Sequence, residues 1–228
     1  MTVSNITNSN PAKVRIFIVR HGQTDHNVQK ILQGHVNTPL NATGIEQAKK
    51  VGERFRNVPV DGFITSDLQR CANTISEITK LHPESSKRIV VTEDLSERNM
   101  GEVEGLKITD AIAQYGEKNF RNLGEQLPMI VARVSRKWDY VVNDSIDNDY
   151  KNYILCSHGG VITAFTNHLH DLGYLLEEGL TKEKLKVPFN TSVTVVDIDK
   201  STKEGHIVMF GDTEHLGGQF EVKNQLLR

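Results

Sequence analysis

Two arginines, two histidines and one glutamate stand where the sequence predicts the ends of buried strands. Arg20 and His21 follow the first such run directly, Arg70 comes shortly after the second, Glu97 follows the third, and His158 follows the fourth. Arginine presents a planar fork that matches phosphate oxygens, and histidine can act as a nucleophile or exchange protons near neutral pH. Ligands bind outside the carboxyl ends of strands in open α/β sheets, so these residues predict one anion site suited to phosphoryl transfer.

Each of these residues has a simpler interpretation when it is considered alone. A single arginine at a strand end is most often part of a surface ion pair, a buried histidine is usually a hydrogen-bonded structural group, and a loop glutamate is nearly always solvated. The position of these residues together favours a catalytic role over the simpler interpretations, because four successive strand ends carry Arg-His, Arg, Glu and His-Gly-Gly in that order. The combination indicates a catalytic site more strongly than any short motif does.

The elements that must position these residues alternate along the chain. Strands are predicted at Val14–Val19, at GFIT before Ser66, and at Arg88–Thr92, Asn152–Ser157, Thr191–Ile198 and His206–Phe210. Helices are predicted after the capping boxes Thr43/Glu46 and Ser66/Gln69, at Ile108–Tyr115, at Leu127–Val142 and along Val161–Leu169. The alternation predicts a three-layer α/β/α fold with a mostly parallel central sheet. That sheet should be mixed, because no helix separates the last two strands.

Composition and charge narrow the classes of partner. The chain has 228 residues and a formal net charge of -2, which gives no electrostatic reason to bind nucleic acid or an anionic membrane. No apolar run approaches the ~20 residues that cross a bilayer. The polar start of the chain does not resemble a signal peptide, and Cys71 and Cys156 are interpreted as reduced structural thiols. We therefore expect a cytoplasmic location, with a nuclear one left open.

The chain is predicted to form one folded unit with a short lead-in. Residues 1–12 are polar and end after Pro11, which predicts a disordered N-terminal tail. Residues 13–228 are assigned to a single domain, because no internal repeat or low-complexity block divides them. The oligomeric state is left open at this point.

Five motifs resemble those of the histidine phosphatase (phosphoglycerate mutase-like) superfamily. They are RHGQTDHN, LQGHVNTPLNATG, SDLQRCANT, LSERNMGEVEG and SHGGVI, and NTSVTVV and GDTEHL near the C-terminus are also similar to that family. The resemblance extends from Val14 to Leu216 and is greatest for small fungal broad-specificity phosphomonoesterases. GHVN stands where the family commonly has G-W-x-D.

The resemblance implies a role for each matching residue. His21 would be the nucleophile that forms a phosphohistidine, and Glu97 would protonate the leaving oxygen and then deprotonate a water molecule. The phosphoryl oxygens would be held by Arg20, Arg70, His158 and Asn27, with Thr24 in the same binding set. Gln33 and Gly34 would flank the substrate, and Gly159, with Gly160, would let the backbone approach the phosphate. The implied substrates are small phosphorylated metabolites, and neither a metal nor a cofactor is expected.

Other polar residues are assigned less specific roles. His26 and His35 lie near the predicted site, and either could touch the substrate. His215 is more simply structural, and the acidic stretch from Asp144 to Asp149 is interpreted as a solvated loop. His168 and His170, two positions apart on a predicted helix, would face different directions and would not share a metal.

Three functions remain open at this point: a phosphomonoesterase, a mutase that returns phosphate to its substrate, and a non-catalytic relative that binds a phosphorylated ligand. The presence of both His21 and Glu97 disfavours the third. Glu97 and His158 are 61 positions apart (158 minus 97), which is closer to the phosphatase branches than to the mutases. Lys107 and Arg121 are the nearest candidates for a mutase-type carboxylate clamp. The physiological substrate is left open.

Overall fold

A seven-stranded β-sheet runs through the computed structural model, which describes residues 6–223. The strands are β1 (Lys13–Arg20), β2 (Gly62–Ser66), β3 (Ile89–Thr92), β4 (Asn152–Ser157), β5 (Leu175–Leu176), β6 (Val193–Asp199) and β7 (Gly205–Asp212). Their order in the sheet is β3-β2-β4-β1-β6-β7-β5. The first four strands in chain order pair in parallel, so their carboxyl ends lie at the same edge.

The sheet is mixed, as the sequence predicts. β6 pairs antiparallel with both β1 and β7. A short turn joins β6 to β7, and a connection of that length can only link antiparallel neighbours. β1 lies between β4 and β6 and is buried on both faces, which explains its nearly unbroken apolar sequence.

Helices cover both faces of the sheet and confirm the three-layer prediction. The α-helices of the described residues are α1 (Asp25–Gln29), α2 (Ala42–Phe55), α3 (Gln69–Thr79), α4 (Ile108–Tyr115), α5 (Leu127–Asp147) and α6 (Gly159–Asp171), of which α2, α3, α5 and α6 pack on the sheet. One core joins α5 and α6 to the face of β1 that carries Ile16 and Ile18. The other core joins α2 and α3 to the opposite face, where Phe17 and Val19 lie. The alternation of side chains along β1 thus divides the interior into two cores.

A third, smaller apolar cluster lies outside these two cores. It contains Leu32, Val103, Ile108, Ala111 and Phe120, and therefore joins the segment before α2 to α4. Backbone hydrogen bonds link the same segments, since the Leu32 amide donates to the Leu106 carbonyl over 2.9 Å and the Gly105 amide donates to the Leu32 carbonyl over 2.8 Å. This cluster and these hydrogen bonds hold the segment around Leu32 against residues 103–120.

Helix α5 extends beyond its predicted end. The apolar pattern ends at Val142, but the helix continues to Asp147, so much of the acidic stretch expected to be a loop is helical. Trp138, on its buried face, packs edge-on against Phe165 of α6 with ring centroids 5.3 Å apart. Among residues 6–223, no helix is both long and apolar enough to cross a membrane.

Several local predictions are corrected by the structure. The short elements α1 and β5 have no predicted counterpart. The cap of α2 is Asn41, whose side chain accepts a hydrogen bond from the Gly44 amide, and not the predicted Thr43. The Ser66 hydroxyl accepts from the Leu68 amide over 3.2 Å before α3 begins at Gln69, so Ser66 does not form the predicted box either.

The predicted disordered tail over residues 1–12 is wrong for its second half. Residues 1–5 lie outside the described residues. Ile6, however, is buried in the core beneath α2 and α3, and Asn8 is also buried. The Asn8 amide group donates to the carbonyls of Lys13 and Lys151 over 2.8 and 3.2 Å, and the Asn8 backbone N–H donates to Asn152 Oδ1 over 3.1 Å. Residues 6–12 therefore belong to the fold.

These contacts predict the cost of removing the Asn8 side chain. Asn8→Ala would remove the two partly buried hydrogen bonds from its amide group to the carbonyls of Lys13 and Lys151, and we expect it to lower the free energy of unfolding by about 1–3 kcal/mol. Urea denaturation measures this change, with Asn143→Ala as the control because Asn143 is exposed on α5. Equal midpoints for the two variants would contradict the assignment of this segment to the fold.

Candidate active site

A cleft opens at the carboxyl ends of β1, β2 and β4. It is lined by Arg20, His21, His26, Asn27, Lys30, Ile31, Leu32, Gln33, Gly34, Arg70, Glu97, Met100, Ile108, Gly159, Gly160 and Val187. Four of the five residues from which the prediction began therefore meet at one surface. The fifth, His158, is fully buried, and its ring centroid lies 5.2 Å from that of His21.

The backbone of the next residue, Gly22, holds the His21 ring in one orientation. Its Nδ1 lies 2.7 Å from the Gly22 carbonyl oxygen, which accepts the Nδ1 proton and so assigns the lone pair to Nε2. The Gly22 amide donates to Thr74 Oγ1 over 2.9 Å. A side chain at Gly22 would come within 2.6 Å of the Gly44 carbonyl, so glycine is required where α2 approaches. The result is an imidazole ring whose orientation is fixed at the cleft, with Nδ1 hydrogen-bonded to the backbone.

Arg20 lies beside the start of α6. It is 3% exposed, and its Nη1 donates to the Pro188 carbonyl over 2.6 Å. A Cβ atom on Gly159 would approach the Arg20 guanidinium carbon to 3.1 Å. Glycine at this position therefore lets the guanidinium and the amino end of a helix come together, and both favour an anion.

Arg70, on the first turn of α3, is fully buried. Its Nη1 and Nη2 donate to the carbonyls of Val36 and Gly34 over 2.9 and 2.8 Å, and its Nε donates to His158 Nδ1 over 3.1 Å. Burial lowers the pKa of Arg70, but arginine remains protonated in proteins. The loop carbonyls thus hold a positive charge rigidly at the cleft.

His158 lies outside the cleft lining, and its contact with the phosphoryl oxygens stays a prediction. Its Nδ1 accepts from Arg70, and its Nε2 lies 2.9 Å from Ser66 Oγ, so both ring nitrogens contact protein groups. Burial, followed by the nearby charges of Arg70, His21 and Arg20, holds the pKa of His158 well below its usual range. A neutral His158 with Nε2 protonated therefore accepts from the Arg70 guanidinium and donates to Ser66.

Glu97 lies on the loop after β3 and is 9% exposed. Its Oε1 accepts from the Arg98 amide over 3.0 Å, and its Oε2 accepts from the Gly160 amide over 3.3 Å. A Cβ atom on Gly160 would lie 2.7 Å from Glu97 Oε1, so this glycine also makes room for a functional side chain. Two backbone donors thereby fix the carboxyl group at the cleft.

His35, which replaces the common aromatic residue, holds the backbone of Glu97. Its Nε2 donates to the Glu97 carbonyl over 2.8 Å, although its side chain does not line the cleft. The loop is tied down again by a hydrogen bond from Ser96 Oγ to Asp67 Oδ1. Of the two histidines predicted near the site, only His26 reaches the cleft.

The remaining predicted binding residues fall into two groups. Asn27, Gln33, Gly34 and Gly159 line the cleft, as expected. Thr24 does not: it is fully buried and caps α1, with Oγ1 accepting from the Asn27 amide over 3.2 Å. In this structure the Thr24 hydroxyl is used within the chain, and its contact with phosphate stays a prediction.

One side of the cleft was not assigned from the sequence. Lys30, Leu32, Met100 and Ile108, with His26, form a mostly apolar surface that we call the cleft wall. Lys30 has a left-handed backbone conformation with φ 56°, which ends α1. A capping pair, Thr24 and Asn27, was present in the sequence as a signal for α1. Its five residues carry no apolar period, however, so the pattern is easily missed.

Metal ligation has little support among these side chains. Within residues 6–223, no three or more His, Cys, Asp or Glu side chains are grouped so that they could hold a metal ion. The cleft instead combines guanidinium groups, imidazoles and one carboxyl group. Such a set can bind a phosphoryl group, attack it and supply a proton.

Comparison with known proteins agrees with this geometry. Residues 16–212 match the histidine phosphatase superfamily (branch 1). The chain is 41% identical over 221 residues to the broad-specificity phosphatase YOR283W of Saccharomyces cerevisiae, covering 94% of this chain and 93% of that protein. It is 35% identical over 205 residues to the probable phosphatase C1687.21 of Schizosaccharomyces pombe, covering 89% and 95%.

Solved structures show the same fold. A phosphoglycerate mutase from Bacillus anthracis superposes with a TM-score of 0.76 at 20% identity, covering 90% of this chain and 96% of that one. A mycobacterial glucosyl-3-phosphoglycerate phosphatase gives a TM-score of 0.72 at 22% identity, covering 88% and 100%. The resemblance inferred from the motifs is confirmed. The chain therefore belongs to the histidine phosphatase superfamily and is a phosphatase.

Proposed function

We propose that this phosphatase hydrolyses phosphate monoesters of small metabolites through a phosphohistidine on His21, with Glu97 as general acid and base. The observation that carries the proposal is the 2.7 Å contact between His21 Nδ1 and the Gly22 carbonyl. It presents the lone pair of Nε2 in a cleft that Arg20, Arg70 and Glu97 also line. Residues 13–228 would serve as one catalytic domain.

In the first step, His21 Nε2 forms a bond to phosphorus while the bond to the leaving oxygen breaks. The positive charge that develops on the imidazole is stabilised by the Gly22 carbonyl, which accepts from Nδ1–H. Arg20 and Arg70 stabilise the charge on the phosphoryl oxygens, and their fixed contacts with loop carbonyls reduce the reorganisation that the reaction requires. Glu97 gives its proton to the leaving oxygen.

In the second step, the Glu97 carboxylate removes a proton from water as the water oxygen bonds to phosphorus. The bond from phosphorus to Nε2 breaks, and inorganic phosphate and a neutral His21 are regenerated. The amides of Arg98 and Gly160 keep the carboxyl group in place through both steps. Every group required by the cycle belongs to this chain, and the proposed mechanism uses no metal.

The substrate class follows from the cleft wall. Leu32, Met100 and Ile108 offer apolar contact without a fixed pattern of hydrogen-bond donors and acceptors, so they discriminate weakly among leaving groups. His26 and Lys30 add polar groups at the same surface. A tolerant site for small phosphorylated metabolites is therefore favoured, and the two fungal relatives are described as a broad-specificity and a probable phosphatase.

The phosphohistidine can be trapped directly. Wild-type protein mixed briefly with ³²P-labelled substrate and quenched in base should retain acid-labile label. His21→Ala should retain none, because the attacking nitrogen is absent. His206→Ala, which changes a partly exposed histidine on β7, is the control and should label normally. Label on the His21 variant would exclude His21 as the nucleophile.

The role of Glu97 predicts a dependence on the leaving group. An alkyl phosphate leaves as a strongly basic alkoxide that needs a proton, whereas nitrophenolate hardly needs one. We expect Glu97→Gln to slow phosphorylation of His21 by an alkyl phosphate about 10²-fold or more, and by nitrophenyl phosphate much less. Rapid-quench measurement of the first turnover gives both rates. Equal losses would show that Glu97 is not the acid.

Water is expected to be the main acceptor. Lys107 and Arg121, the nearest candidates for a carboxylate clamp, do not line the cleft. With 3-phosphoglycerate as substrate, we therefore expect phosphate release to exceed formation of 2-phosphoglycerate. Following both products in one reaction by ³¹P NMR measures the ratio. Rapid isomerisation with little free phosphate would identify a mutase instead.

A further inference from the structure

Thr191 adopts a backbone conformation that β-branched residues rarely occupy. Its φ is 55°, in the left-handed region, and the residue is fully buried. A branched side chain raises the energy of this conformation, so surrounding contacts must hold it. Thr191 lies at the start of the chain that enters β6, directly after Asn190.

Thr191 and Asn190 both contact the backbone of the nucleophile. The Thr191 amide donates to the His21 carbonyl over 3.3 Å, and Asn190 Nδ2 donates to the same carbonyl over 3.1 Å. Asn190 Nδ2 also lies 3.2 Å from Asn27 Oδ1, so it links His21 to α1. The unusual conformation of Thr191 is therefore used to fix the carbonyl of His21 and one residue of the phosphate-binding loop.

His215 contacts the side chain of Thr191 from the opposite side. The Thr191 hydroxyl donates to the Asn190 carbonyl over 2.8 Å, so it acts as an acceptor towards His215 Nε2 at 3.2 Å. Nε2 then carries the proton, and Nδ1 accepts from Arg54 Nη1 over 3.3 Å. Burial and the Arg54 charge lower the pKa of His215 to about 4, which keeps the ring neutral and preserves this direction of donation.

Arg54, which donates to His215, is itself held by a buried ion pair. Arg54 of α2 contacts Asp212 at the end of β7, and the Arg54 side chain has no exposed surface. Gln219 donates to the same Asp212 carboxylate. Lys50 and Glu214 also act electrostatically on His215. The ion pair therefore joins two elements that lie outside the cleft.

We propose that His215 is a positioning residue for the reaction: it holds Thr191 in the left-handed conformation, so that Thr191 and Asn190 keep His21 in line for attack. The inference rests on the proposed role of His21 as nucleophile. His215 touches neither the cleft nor the reacting atoms. Its effect should therefore fall on the chemical step and not on the binding of the phosphate group.

The first test compares His215→Leu with His215→Gln, in which the amide can still donate to Thr191. We expect kcat on nitrophenyl phosphate to fall about 10- to 100-fold for the leucine variant with KM within about threefold, and to be largely restored for the glutamine variant. His82→Leu is the matched control, because His82 is also a buried histidine whose pKa is lowered by burial, and it lies against Phe63 of β2. It should retain wild-type kcat.

A double-mutant cycle tests the mechanism itself. Glycine adopts a positive φ without strain, so Thr191→Gly should make kcat nearly independent of residue 215. Equal losses from His215→Leu in the wild-type and Thr191→Gly backgrounds would overturn the proposal, as would a loss confined to KM. If His215→Leu does not fold, Thr191→Val removes the same hydroxyl contact; wild-type kcat in that variant would also overturn it.

The outcomes separate this inference from the function on which it rests. An inactive wild-type protein, or label on His21→Ala, would refute the proposed function. Active wild-type and His82→Leu proteins with an equally active His215→Leu variant would refute only the positioning role of His215.

Discussion

Burial of the Arg70 guanidinium is the constraint on which the surrounding structure depends. A charged group without solvent contact must find partners for its N–H groups, or the fold loses more than it gains. Arg70 finds them in two carbonyls of the loop 34–36 and in His158. The loop must therefore curve around the guanidinium, and His158 must remain neutral to accept from it. The course of the loop at the cleft follows from this buried charge, and burial of the His158 ring together with the charge of Arg70 keeps His158 neutral.

The same requirement explains why the site is built from loops that belong to distant parts of the chain. Arg20 donates a hydrogen bond to the Pro188 carbonyl, and Glu97 accepts hydrogen bonds from the amides of Arg98 and of Gly160 at the start of α6. Arg20, Arg70 and Glu97 are thus each held in part by backbone groups of a segment distant in the chain. Because backbone groups move only with the elements that carry them, the two cores of the sheet supply the rigidity that the reaction needs.

Strong patterns made much of this architecture predictable. Strands β1 and β4, which are buried on both faces, have nearly unbroken apolar runs. The sequence alone therefore predicted where the residues after them would lie. The hydrogen bonds of Thr24 and His158 could not be predicted in the same way. A motif gives the position of a residue but not its hydrogen-bond partners. The polar atoms of both side chains form hydrogen bonds to neighbouring groups inside the protein. Ile6 and Asn8 were missed because a short polar segment gives no sign of the partners that bury it.

The small cluster behind the cleft wall has a consequence for how this enzyme can diverge. Leu32 and Ile108 pack with Val103, Ala111 and Phe120, apart from the two cores whose elements carry His21, Arg20 and Arg70. Substitutions in this cluster can reshape the surface that meets the leaving group while the sheet and its charges stay as they are. The shape of the cleft wall can therefore be altered independently of the residues that hold Arg20 and Arg70, and variants of this cluster need not lose the chemistry of the site.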